Sequence, residues 1–124
     1  MATWEQVQRF LVEFKQIVTK GRGVDLVSRR ESLNTLRDLG LTKQNLEQLL
    51  LSLSPVNYCV GPKADRDRPG EVWVFGTHVQ DVEIYIKLKI ASVSDVRIAK
   101  CISFHPAEFS LKYPHKKRRI GGEP

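Results

Sequence analysis

Glu83, Tyr85, Lys87 and Lys89 occupy alternate places in the segment Val82–Ile90, and Val82, Ile84, Ile86, Leu88 and Ile90 occupy the others. Side chains of a β-strand point to opposite faces with period 2, so this alternation predicts one apolar, buried face and one wet face. The wet face lines up a phenol and two ammonium groups on a rigid support. Such a row suits holding a phosphodiester and moving a proton beside it, because donors fixed in advance stabilise charge as it develops.

The elements that must position this row follow from the rest of the chain. Its 124 residues fit one domain with a single core. No apolar run approaches the roughly 20 residues a membrane span needs. The first residues lack a basic region followed by an apolar stretch, so no secretory signal is expected and a cytoplasmic protein is the default. Cys59 and Cys101 lie outside any CxxC motif and are read as reduced thiols. Half of the net charge of +6 falls in the last ten residues, around Lys116-Lys-Arg-Arg119. The remainder is only mildly basic, so charge alone says little about nucleic acid. The expected division is a single domain over 1–114 followed by a basic tail over 115–124, the tail serving either phosphate contacts or solubility.

Three amphipathic helices are expected first. Thr3 and Gln6 form a capping box ahead of Trp4, Val7, Phe10, Leu11, Phe14, Ile17 and Val18 at helical spacing, with Gly21 and Gly23 ending the run. Ser28 and Glu31 form a second box, before Leu33, Leu36, Leu39 and the stop at Gly40. Thr42 opens a third helix through Leu46, Leu49, Leu50 and Leu53, closed by Pro55. A charged, breaker-rich loop is expected over Lys63–Gly70. Strands are expected over Glu71–Thr77, Val82–Ile90 and Arg97–Phe104, with Gly76–Asp81 linking the first two. Short connections favour an antiparallel meander, and helices before strands indicate an α+β domain with the helices on the apolar sheet face.

The order Leu39-Gly-Leu41, helix, Tyr58, charged loop, Val72-Trp73, Ile84-Tyr-Ile-Lys87, Ile102-Ser-Phe104 resembles the MqsR-like toxins of type II toxin–antitoxin systems, a branch of the RelE-type messenger-RNA interferases. The likeness spans about residues 20–108. It implies a RelE-like α+β fold and a metal-independent bacterial endoribonuclease without cofactor. It also implies two partners: messenger RNA, free or on the ribosome, and a cognate antitoxin protein. The family's strand tyrosine and lysine match Tyr85 and Lys87, and its tryptophan matches Trp73. Its glutamine position holds Val74, one lysine position holds Cys59 with Lys63 nearby, and the lysine after Ser-Phe is His105.

Metal-independent RNA cleavage requires removal of the 2′-OH proton, stabilisation of the phosphorane and protonation of the 5′-oxygen. His105 is the natural titrating group, since an imidazole changes charge near neutral pH. Lys87 and Lys89 suit the phosphate. Tyr85 suits orienting the 2′-OH, or acting as a base where ammonium groups lower its pKa. Lys63, Arg66 and Arg68 suit RNA backbone, though Asp65, Asp67 and Glu71 interleave with them. Trp73 either stacks on a base or faces the core. The competing class is a non-catalytic α+β module that docks a protein or RNA on the same sheet face.

Overall fold

The computed structural model describes residues 1–21 and 23–117. It is an α+β fold in which three N-terminal helices pack against an open, mostly antiparallel five-stranded sheet. Helix α1 (Trp4–Lys20) starts at the expected box: Gln6 N donates to Thr3 Oγ1 at 3.1 Å, and Thr3 N to Gln6 Oε1 at 2.8 Å. Its buried residues Val7, Phe10, Leu11, Phe14 and Val18 recur every three or four positions, forming one stripe toward the sheet. Helix α3 (Lys43–Leu51) is capped in the same way by Thr42 and Asn45.

Helix α2 (Arg30–Leu39) departs from the expected box at Ser28. Its cap is Arg29, without a side-chain cap bond, and Arg29 N instead donates to Val27 O at 2.9 Å. The serine that matters is Ser32, fully buried, whose Oγ accepts from Phe104 N at 3.1 Å. The first turn of α2 is thereby tied to the sheet rather than to itself. Gly40 closes the helix at φ 69°, the left-handed region that glycine enters without a side-chain clash.

Five strands form where three were expected. They are β1 (Asp25–Leu26), β2 (Tyr58–Ala64), β3 (Glu71–Val79), β4 (Val82–Val93) and β5 (Val96–Pro106), in sheet order β1-β5-β4-β3-β2. Among the described residues only β1 is parallel to its neighbour, pairing at Lys100 and Cys101. Strand β2 takes up the start of the presumed loop, and its Gly61-Pro62 is tolerated because β2 is an edge strand with shifted register. The link between β3 and β4 is shorter than expected, with only Gln80 and Asp81 at the turn, both at positive φ as tight hairpins require.

The alternation in β4 holds on the helix side, where Ile84, Ile86 and Leu88 are fully buried with Phe14, Phe75 and Phe104. Packing also includes His115, beyond the expected domain boundary: its Nε2 lies 2.9 Å from Ala2 O and its ring meets Trp4 edge-on. Lys116 and Lys117 follow in a turn, and the rest of the basic tail, Arg118 and Arg119 included, lies outside the described residues. Among the described residues no helix is long and apolar enough to cross a membrane.

Candidate active site

On the sheet face away from α1, Tyr85 stands directly across from His105, and Lys87 across from Ser103. Directly paired residues of antiparallel strands point to the same side, so register alone brings these four side chains together. The Tyr85 and His105 rings stack, with centroids 5.1 Å apart and planes 16° from parallel. His105 Nδ1 lies 2.9 Å from Pro106 O. A carbonyl oxygen can only accept, so Nδ1 carries a proton, which leaves Nε2 as the nitrogen that exchanges one.

These side chains floor a cleft of about 360 Å³. One wall is the start of α2, with Arg29, Glu31 and Ser32. The other is the segment Glu108–Leu111. The α2 wall is held by β1, by the bond from Val27 N to Cys101 O (3.0 Å) and by the Ser32–Phe104 bond. The opposite wall is held by Glu83. Its carbonyl accepts from Ala107 N (2.8 Å), and its carboxylate accepts from Leu111 N (3.2 Å) and the Tyr113 hydroxyl (2.7 Å). Gly76 makes this strap possible, since a Cβ there would meet Leu111 Cδ1 and the Tyr113 hydroxyl at 2.5 Å. The Tyr113 hydrogen bond holds the Glu83 carboxyl below its usual range, so the clamp stays charged.

Burial lowers the pKa of Lys87, with Lys63, Arg29 and Arg66 adding to the effect and Asp65 opposing it. A depressed ammonium gives up its proton more readily, which suits a general acid. Tyr85 moves the other way: burial chiefly raises its pKa. A raised pKa keeps the phenol protonated, so of the two roles expected for Tyr85 the orienting hydroxyl fits this environment better than the base.

The remaining predicted residues divide. Lys63 and Arg66 are exposed and contribute to the field at Lys87. Arg68 is exposed too, but lines a separate cleft of about 650 Å³ beyond the loop, with Lys100 and Asp67. Lys89 shares the face of Lys87, yet is only 4% exposed. Its Nζ donates to Asp65 Oδ2 at 2.6 Å and to Pro69 O at 2.7 Å, because the loop after β2 folds over that end of the strand. The wet position expected for Lys89 is thus corrected to an internal ion pair, in which Asp65 is lowered to about 2 chiefly by the Lys89 hydrogen bond. Trp73 pairs with Leu88 and so faces the helices, stacked on Phe10 at 4.6 Å. It is on the opposite side of the sheet from Tyr85 and does not join the cleft.

Cys59 and Cys101 are free, and burial pushes both thiols up to about 12, so neither supplies a charge. Among the described residues no three His, Cys, Asp or Glu side chains gather as metal ligands would. Reasoning from sequence missed Arg29, Ser32, Ser103 and the Glu83 clamp. Ser103 was within reach, lying two residues before His105 in an alternating strand. Arg29 and Ser32 carry no local signal, because their place depends on how α2 meets β5.

Fold and cleft together define an α+β protein with a phenol, an imidazole and an ammonium group on one open sheet face. Compared with protein families, curated proteins and solved structures, the chain matches none.

Proposed function

We propose that this chain is a metal-independent endoribonuclease that cuts messenger RNA by 2′-OH attack and acts as the toxin of a bacterial toxin–antitoxin system. The observation that carries the reading is the cross-strand pair Tyr85–His105 with Lys87 beside it in one cleft. In this mechanism His105 Nε2 takes the 2′-OH proton and the 2′-oxygen attacks phosphorus. The phosphorus–O5′ bond then breaks, and Lys87 supplies the proton to the departing 5′-oxygen. The Tyr85 hydroxyl donates to a phosphate oxygen whose charge grows in the transition state. Lys63, Arg66 and Arg29 hold the flanking phosphates. The toxin part of the reading draws on the resemblance in the order of motifs, and a cognate antitoxin would act by covering the cleft in the cytoplasm.

The test is cleavage of a defined RNA in EDTA by the purified chain and by Tyr85→Phe, Lys87→Ala and His105→Ala. Cleavage lost with His105→Ala and Lys87→Ala supports the site, whereas undiminished cleavage in all three removes it. Expression without growth arrest and without RNA cleavage removes the function. A second reading, a non-catalytic module docking protein or RNA, is favoured by Cys59 and Val74. A protonated thiol and a buried aliphatic side chain stand where the resembled family has a lysine and a glutamine. RNA or protein binding at the cleft without cleavage selects this module.

A further inference from the structure

Of the chain's aromatic residues (Trp 2, Tyr 3, Phe 5), all but one are buried or half-buried. The exception is Phe109, 84% exposed. It sits in the cleft wall facing α2, in the short span between Ala107 and Leu111, whose backbone N–H groups both bond to Glu83. Both ends of the span are anchored on one residue, so the ring is presented on a fixed support. Its sequence neighbours at the surface, Glu108, Ser110 and Lys112, are exposed polar residues rather than an apolar patch.

We propose that Phe109 is a stacking platform for the nucleobase next to the phosphate held at Lys87, so that the cleft accepts single-stranded rather than duplex RNA. The inference rests on the nucleic-acid reading above and specifies its substrate. An aromatic face gains from any unpaired base, whereas bases in a duplex are already stacked on one another. The charged groups of the cleft suit a phosphate beside a base. Lys87 on the floor and Arg29 on the α2 wall, beside Glu31, supply the cations for phosphate, and Glu108 beside the ring offers an acceptor to base N–H groups. A protein-docking hot spot would sit within apolar neighbours that exclude water. The exposed residues flanking Phe109 in the chain are polar, which favours a base.

The experiment measures affinity of the full chain by fluorescence anisotropy. The probes are 2′-O-methylated single-stranded RNA hexamers of mixed sequence, the same hexamers with one base removed at each position in turn, and the matching duplexes. The expected result is that Phe109→Ala weakens single-strand binding about 10-fold, as for one lost base stack. Phe109→Trp should restore it, and one abasic position should abolish the difference between wild type and Phe109→Ala. Equal affinity of wild type and Phe109→Ala, equal affinity for the duplex, or no binding of single strands each overturns the proposal. A co-purifying protein lost on Phe109→Ala with RNA affinity unchanged assigns the ring to a protein interface, and also overturns it. Cleavage of the unmodified hexamer is followed in parallel. Phe109-dependent binding without cleavage retires the nuclease and keeps the platform, and cleavage indifferent to Phe109 does the reverse.

Discussion

The two ends of the second face of β4 began as equals and ended differently. At one end Tyr85 and Lys87 floor an open cleft beside His105. At the other, Lys89 is enclosed by the Asp65–Gly70 loop and bonded to Asp65 and Pro69. The strand pattern is the same throughout, so alternation decides which face a side chain takes and not whether water reaches it. What separates the ends is the segment laid across each: a loop whose carboxylate and carbonyl meet an ammonium group, against a strap held back at Glu83.

The largest test of this contrast is His105→Ala. If His105 is the general base of the proposed mechanism, its loss lowers turnover about 10²- to 10⁴-fold, with little change in stability for a half-buried strand-end residue. Single-turnover cleavage reads the first and chemical denaturation the second; a rate within tenfold of wild type would remove His105 from the chemistry. Lys89→Met is the opposite case. It leaves Asp65 without its partner and should cost about 3 kcal/mol in urea unfolding, the lower end for a broken buried pair. Cleavage per folded molecule should stay near wild type, and a large loss there would return Lys89 to the site.

The same pair sets a pH dependence. Asp65 is held down to about 2 from 3.8, so its contribution to stability is present above pH 4 and is lost as the pH falls toward 2. Denaturation midpoints between pH 5 and pH 2 should show this slope in wild type, and Lys89→Met should make it shallower, since the Lys89 hydrogen bond is the largest of the causes that lower Asp65. Tyr85→Phe is expected to slow cleavage about tenfold, the worth of one hydrogen bond to a charged oxygen. If the loss reaches that of His105→Ala, the phenol does more than donate. The smallest effect is a shift in pH profile. Lys63 helps depress Lys87, so Lys63→Gln raises the Lys87 pKa and moves the alkaline limb of the rate profile upward. A downward shift would show that Lys87 acts deprotonated.

Much of the fold was legible because its signals are local. The Thr3 and Thr42 caps, the stripe of α1 and the alternation of β4 each depend on residues within a few positions of one another. Strand β1 was hidden by its length of two residues, and β2 by Gly61-Pro62, which reads as a break although an edge strand tolerates it. The serine expected to cap α2 was the wrong one, since Ser32 found its partner in the sheet. For the site, Tyr85, Lys87 and His105 were legible from strand position. Trp73 stayed open between a base-stacking and a core position, because its residue type suits both, and only the pairing with Leu88 assigns its face.

The chain by itself determined the three helices, the three long strands that follow them, and the fact that Tyr85, Lys87 and Lys89 share a face opposite the core. These follow from periodicity and capping, which act over a few residues. The tertiary structure decided which of those groups stay open. That choice depends on hydrogen bonds between distant positions: Lys89 to Asp65 across 24 residues, Leu111 to Glu83 across 28, and Phe104 to Ser32 across 72. Such partners are selected by chain geometry rather than by local pattern, and they turn one uniform strand face into a closed ion pair and an open cleft.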